Sequence, residues 1–140
     1  MKRYFLLLIL LFVCGCNAVK DTSASPETES SEVEQRGGAI VQAVIAGNYP
    51  EFAAAAGEKG GDVDSAHFAA SRKELMDNYG EFSSFRSFGT LKTPLFANIF
   101  YAVKFLRKTS DGRKVEHEQL IQLIFGKKDN LWQLIAMRFI

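Results

Sequence analysis

The chain has 140 residues, of which 47% are hydrophobic and 24% charged, and its formal net charge is +1. This length predicts a single domain, and the even charge balance excludes nucleic acid as an expected partner, because such a partner requires a strongly basic surface. Both cysteines lie within the first 16 residues, which excludes a disulfide framework, a thiolate metal site and a cysteine nucleophile from the rest of the chain.

The first 15 residues have the parts of an export signal. Lys2 and Arg3 precede an uninterrupted apolar stretch that covers residues 4–13. A membrane span needs roughly 20 apolar residues, and this stretch is about half as long. The pattern therefore predicts a signal peptide over residues 1–15.

Directly after the apolar stretch comes the segment Val13-Cys14-Gly15-Cys16. It resembles the lipobox of bacterial lipoproteins, in which a branched apolar residue and two small ones precede the modified cysteine. The resemblance implies cleavage before Cys16, lipid on its thiol and anchoring to a membrane of the bacterial cell envelope. Asn17 favours the periplasmic side of the outer membrane in a Gram-negative cell, because family members kept at the inner membrane carry Asp there. The alternative is an ordinary signal peptide, or a short uncleaved anchor, with chance cysteines.

Residues 16–31 are predicted to comprise the lipidated cysteine and a flexible tether. The segment is rich in Ser, Thr and Glu, and such a composition buries too little apolar surface to offset the entropy of ordering. A coil of this length spans roughly 20 Å, enough to lift a domain clear of lipid head groups. Ser30 or Ser31 is then the predicted N-cap of the first helix.

Three helices are predicted at the start of a single domain over residues 32–140. Apolar residues recur at helical spacing in the first of them, but Gly37-Gly38 weakens its beginning, so firm helix is expected only near Ala39. Ser65 is the predicted cap of the third. The predicted helices cover residues 33–46, 51–56 and 65–78.

After Gly80 the apolar spacing changes to two, which predicts strands. Turn sequences at Ser110-Asp111-Gly112 and at residues 128–130 separate the later ones. The last strand is apolar on both faces, which predicts a central or well-covered position in a sheet. The predicted strands cover residues 82–92, 96–108, 113–126 and 131–140.

Helices followed by strands with short turns predict an α+β fold, in which the helices pack on a four-stranded antiparallel meander sheet. Three features of the sequence point to a more specific fold group: the segment 43–52, the change from helix to strand at Tyr79-Gly80, and the segment 128–134. With these, the layout resembles the cystatin-like folds and, among them, the nuclear-transport-factor-2-like group. The resemblance implies a conical pocket between helices and sheet, and it implies a homodimer, since sheets of this group often pair. It implies no particular activity, because the fold hosts unrelated ones.

His117 is the candidate for chemistry. Alternation places it on the strand face that carries Val115 and Ile121, the face expected to turn toward the helices. A histidine there, with Tyr79 or Tyr101, would line the pocket and could act as a general base. The structural alternative is a hydrogen-bonded histidine near a strand end, with no catalytic role.

The acidic residues argue against an enzyme. Glu116 and Glu118 flank His117 but point to the opposite face, where ion pairs with Lys104 or Arg138 are expected. Enzymes of the resembling group use Asp, or Asp with His, inside the cone, and every Asp of this domain falls in a predicted loop or at an element end. No catalytic residue, metal or cofactor is therefore predicted.

The prediction for function is a membrane-anchored envelope lipoprotein with a non-catalytic module for a small apolar ligand or an envelope protein. Tyr79, Tyr101 and His117 are the predicted pocket residues, and Cys16 is the predicted lipidation site. Two alternatives stay open: an enzyme of isomerase or dehydratase type that uses His117, and a purely structural, dimerising envelope protein.

Overall fold

The computed structural model describes residues 26–57 and 63–140. Its strands form one antiparallel sheet in the order β1-β2-β3-β4, and the helices precede them, so the predicted α+β fold with a meander sheet is confirmed. The predicted signal peptide, Cys16 and most of the predicted tether lie outside the described residues. The elements are α1 (Pro26–Ala46), α2 (Tyr49–Ala56), α3 (Ser65–Tyr79), β1 (Glu81–Lys92), β2 (Phe96–Lys108), β3 (Lys114–Lys128) and β4 (Leu131–Phe139).

Helix α1 is longer than the sequence suggests. It begins at Pro26 and continues through Gly37-Gly38, so the predicted cap at Ser30 or Ser31 and the predicted firm start near residue 39 are both wrong. Proline is favoured in a first helical turn, because its missing N–H has no partner there in any case. The last residues assigned to the tether, from 26 onward, are thus helical.

The glycines of α1 serve its packing on the sheet. A Cβ atom at Gly37 would lie 2.7 Å from Oη of Tyr101 and 3.2 Å from Cδ1 of Ile99. Glycine in a helix costs about 1 kcal/mol relative to alanine. That cost is offset because the missing side chain lets α1 approach β2 closely and bury Ile40 and Val41 completely.

The two shorter helices begin at polar caps. Asn48 caps α2, with its Oδ1 accepting from the backbone N–H of Glu51 at 3.3 Å. Asp64 caps α3 by accepting from the backbone N–H of His67 at 2.8 Å. Ser65, the predicted cap, is instead the first residue of the helix, because the neighbouring aspartate reaches the same donor.

The core lies between the helices and one face of the sheet, called here the inner face. Side chains from the middle strands fill it, together with the apolar stripe of α1. Its fully buried members include Val33, Ile40, Val41, Ile99, Val103, Phe105, Ile121, Leu123 and Phe125.

Strand β4 is an edge strand, so the prediction of a central position is wrong. A bulge opposite Ile124 and Phe125 shifts the register, and pairing passes from Ala136 to Leu134. Before and after the bulge, different alternate residues face the helices. Apolar residues therefore occur at both odd and even positions of the strand, although only one face is covered. Ile135, at the bulge, is 57% exposed.

The opposite face, called here the outer face, carries polar pairs. Lys104 binds Glu116 at 2.7 Å, as expected from the sequence, and Arg86 binds Glu118 at 2.9 Å. Arg138, the other expected partner of these glutamates, donates to the side chain of Gln122 at 2.6 Å. Both ion pairs are exposed to solvent, which screens them, so they add little to the stability of the fold.

Candidate functional site

The structure brings two of the three predicted pocket residues together. Tyr79 ends α3, and its ring centroid lies 5.9 Å from that of His117 on β3. Tyr101 lies four residues from Phe105 along β2, which is about 13 Å of strand, while Phe105 packs beside both Tyr79 and His117. Tyr101 therefore belongs to a different part of the inner face.

His117 sits in an aromatic cluster. Its ring stacks on Phe105 with 5.7 Å between centroids and 17° between planes, and it is half-buried. Within residues 26–57 and 63–140, the ring takes part in no hydrogen bond or ion pair. The neighbouring Glu116 and Glu118 form ion pairs with Lys104 and Arg86 on the outer face. A general base of this kind is normally oriented by a carboxylate, and the described part of the chain places none beside this ring.

Tyr101 holds α1 to the sheet. Only 4% of it is exposed, and its hydroxyl donates to the backbone carbonyl of Glu34 at 2.9 Å. Burial, helped by the negative charge of Glu34, raises the pKa of Tyr101 to about 12. A neutral, hydrogen-bonded and buried phenol is a packing group rather than a base.

A cleft opens between the helices and the sheet, at α3 and β4 with α1 and α2 behind it, and its lining includes none of the three predicted pocket residues. Its volume is about 250 Å³, close to the lower end of the roughly 300–1,000 Å³ usual for small-molecule sites. Apart from Ser71 and Arg72, the side chains around it are apolar. They are Val44, Phe52, Val63, Phe68, Leu75, Leu134, Ile135, Ala136 and Met137.

Two aromatic residues make the rear wall of this cleft. The rings of Phe52 and Phe68 lie 5.0 Å apart, and Tyr49 packs on Phe68 from the other side at 5.7 Å. Both phenylalanines are buried at the helix contact. The wall is thus fixed by packing between α2 and α3, which gives the cleft a preformed shape.

Arg72 is the charged group at the cleft. Its Nε and Nη2 donate to the carbonyls of Val44 and Ile45, each at 2.8 Å, and its guanidinium lies 5.6 Å from the ring centre of Phe82. These carbonyls are at the negative end of α1, where a cation is favourable. Nη1 makes no hydrogen bond within the described residues, so its N–H groups have no protein acceptor there.

Comparison with known proteins adds a likeness of architecture. No protein-family model matches the chain, and no curated protein matches it in sequence. Among solved structures it is similar to the crystal structure of an NTF-2-like protein of unknown function from Shewanella oneidensis MR-1. The two chains are 11% identical, the match covers 79% of this chain and 98% of the other, and the TM-score is 0.45. This likeness carries nothing about a ligand, a reaction or a partner.

Residues 26–57 and 63–140 contain no group of three or more His, Cys, Asp or Glu side chains that could hold a metal ion. None of the helices in these ranges is both long and apolar enough to cross a membrane. His67, the second histidine, is exposed on α3 and contacts Asp64 at 3.1 Å.

A second arginine joins three elements behind the cleft. Arg36 of α1 donates to the carbonyl of Ala55 through Nε and Nη2, and to the carbonyl of Trp132 through Nη1 at 2.5 Å. The indole of Trp132 is buried, and its Nε1 has no hydrogen-bond partner among the described residues. Lys92 and Lys127 lie over the same ring at 5.4 and 5.6 Å. This cluster fixes α1 and α2 against the beginning of β4.

Proposed function

We propose that this chain is an envelope lipoprotein whose domain is a non-catalytic binding module. The module takes a small, apolar and acidic ligand in the cleft between α3 and β4. The observation that carries the ligand is the cleft itself, which is preformed, lined by apolar side chains and bordered by Arg72. The observation that carries the anchor is the segment ending at Cys16, behind a short apolar leader.

The chemistry of the lining selects the ligand class. Burying an apolar body against Leu75, Leu134 and Met137 gains about 25 cal/mol for each Å² removed from water. A carboxylate at one end would accept from Nη1 of Arg72, a charge-assisted hydrogen bond. A medium-chain fatty acid such as octanoate has both parts and about the right size, and an aryl sulfonate offers a sulfonate in place of the carboxylate.

The arrangement at His117 supports a binding module better than an enzyme. The pair with Tyr79 lies among Phe105 and Phe139, and the two nearest glutamates in sequence bind cations on the outer face. An isomerase or dehydratase mechanism needs a base held by a polar partner. That alternative therefore has only the contact between the two rings in its favour.

A ligand titration tests the cleft. Anilinonaphthalene sulfonate should fluoresce on binding the wild-type protein and be displaced by octanoate. Ser71→Phe, which places a ring in the cleft, should weaken binding by at least about tenfold, equivalent to about 1.4 kcal/mol. Ala70→Phe, at an exposed neighbouring position outside the cleft, is the matched control and should leave binding unchanged. Equal affinities for the two variants would refute the cleft as the site.

A labelling experiment tests the anchor. Radiolabelled palmitate should enter the full-length protein in bacterial cells, and Cys16→Ala should abolish the label. Cys14→Ala keeps a small residue before the cleavage site and should remain labelled. An unlabelled wild type, or a labelled Cys16→Ala variant, would overturn the lipoprotein proposal.

A further inference from the structure

Three exposed leucines lie at one end of the sheet, called here the turn end: Leu91 at the end of β1, which is 67% exposed, and two beside the turns. Leu95 lies in the β1–β2 turn and Leu131 follows the β3–β4 turn, and they are 62% and 65% exposed. In an antiparallel meander these two turns lie at the same end, while the β2–β3 hairpin lies at the other. The carbonyl of Leu95 accepts from the backbone N–H of Lys127 at 2.8 Å, which ties the first turn to the end of β3.

Helix α1 begins on the side of the turn end, as its contacts with the sheet show. In the middle of the helix, the carbonyl of Glu34 accepts from the hydroxyl of Tyr101, and Arg36 donates to the carbonyl of Trp132, next to Leu131. Near its end, Arg72 binds the carbonyls of Val44 and Ile45 while lying over Phe82.

The sheet register gives these contacts a direction. Phe82 pairs with Phe105, toward the β2–β3 hairpin, whereas Trp132 pairs with Lys127, beside the β3–β4 turn. The helix therefore runs from the turn end toward the hairpin end. Its first described residue, Pro26, lies about 15 Å of helix before Arg36, at the level of the turn end or beyond it.

The position of the proposed anchor follows from this direction. Residues 17–25 separate Cys16 from Pro26, and the ten steps of chain between these two residues reach at most about 36 Å when fully extended. A lipid on Cys16 therefore holds the membrane within this distance of the beginning of α1. The turn end, where α1 begins, is therefore the end of the sheet closer to the attachment point of the tether.

The charges at the turn end are mixed. Lys92, Lys127 and Lys128 lie there, together with Asp129 in the turn and Glu32 on the first part of α1. This balance gives no strong attraction to anionic lipid. Contact with a bilayer would instead depend on the exposed leucines, whose transfer from water to the interface is favourable.

We infer that the turn end rests on the membrane surface, with Leu95 and Leu131 inserted among the lipid head groups. The inference rests on the proposed lipid anchor and adds an orientation to it, in which the turn end of the domain faces the membrane. The β2–β3 hairpin, with the exposed Val115, then faces away from the lipid.

The test uses the lipidated full chain, purified from bacterial membranes and reconstituted in phosphatidylcholine vesicles. After the leader is removed and Cys16 is acylated, a new cysteine is the only free thiol, because residues 17–140 contain none. An environment-sensitive fluorophore is attached to Leu95→Cys, Leu131→Cys or, as the control, Val115→Cys. Nitroxide-labelled lipid should quench the fluorophore at positions 95 and 131 at least about threefold more than at position 115.

The outcomes separate the inference from the proposed function. Equal quenching at positions 131 and 115 in a chain whose mass includes the lipid overturns the orientation alone. A label at position 131 that is shielded from water but not quenched by lipid places a second copy, or another protein, on the leucines and also overturns it. A chain without added lipid mass overturns the proposed anchor, and the orientation with it.

Discussion

The helical layer meets the sheet in two different ways. Over β2, α1 lies so close that Gly37 has no room for a side chain, and the hydroxyl of Tyr101 reaches a helix carbonyl. Over β4, α3 leaves a cleft of about 250 Å³ bordered by Arg72. The α1–β2 contact and the α3–β4 cleft belong to the same small core.

This difference separates a region that stabilises the fold, the α1–β2 contact, from a region that can bind a ligand, the α3–β4 cleft. Contacts at the α1–β2 interface are complete, so substitutions there change the free energy of unfolding and leave nothing for a ligand to fill. The walls of the cleft are preformed by aromatic packing between α2 and α3, so a ligand would gain apolar contact there without reorganising the core. The predictions below separate these two properties.

The largest effect is expected at Gly37. Gly37→Val should lower the free energy of unfolding by about 3 kcal/mol, because overpacking costs about 1–3 kcal/mol and the Tyr101 hydrogen bond would also be disturbed. Gly38→Ala is the control, since its Cβ would lie 3.8 Å from Oη of Tyr101, and removing a helical glycine should raise stability by up to about 1 kcal/mol. Urea unfolding measures both. A Gly37→Val variant as stable as Gly38→Ala would contradict the close approach of Gly37 to Tyr101.

The same region should respond to alkaline pH. The pKa of Tyr101 is raised from 10.0 to about 12 in the folded protein, so the folded state holds this proton more tightly than the unfolded state. The resulting stability is present below pH 10 and is lost as the pH rises toward 12; at pH 11 the loss is about 1.4 kcal/mol.

Comparison with Tyr101→Phe isolates this contribution. The variant lacks the titrating hydroxyl, so its loss of stability between pH 8 and pH 11 should be smaller than that of the wild type by this amount. Urea unfolding at the two pH values provides the measurement. Identical losses in the two proteins would mean that Tyr101 ionises as freely in the folded state as in the unfolded one.

A smaller effect on stability is expected at the cleft. Arg72→Met keeps an apolar stem but removes the donors to the carbonyls of Val44 and Ile45, and should cost about 1 kcal/mol. The variant should also weaken binding of anilinonaphthalene sulfonate. Lys73→Met is the control: it breaks only the exposed ion pair with Asp77, which solvent screens, and should leave binding unchanged. If both variants bind the probe like the wild type, Arg72 has no part in ligand recognition.

The strands were predictable because their signals are local. Alternation and turn residues located β2 to the residue and the other strands to within about two residues. Asp129 and Asn130, predicted as part of the turn between β3 and β4, both have positive φ. The beginning of α1 was missed because Gly37 was interpreted by helix propensity, whereas its value lies in contact with Tyr101, distant in sequence.

The edge position of β4 and the lining of the cleft could not be predicted for a related reason. Apolar residues on both faces of β4 arise from one bulge at Ile135, which no periodicity reveals. The cleft depends on how far Phe68 and Leu75 of α3 stand from Leu134 of β4, a distance set by three-dimensional packing. Alternation did place His117 on the inner face beside Tyr79, but it could not show that aromatic rings surround them.

The most direct test of the account is to locate a bound ligand by methyl-resolved NMR. On addition of octanoate to the full-length protein in detergent, the methyl signals of Leu75, Leu134 and Met137 should shift, while those of Val103 and Ile121 in the closed part of the core should stay in place. The opposite pattern, or no shift at saturating octanoate, would contradict the claim that the α3–β4 cleft is the binding site.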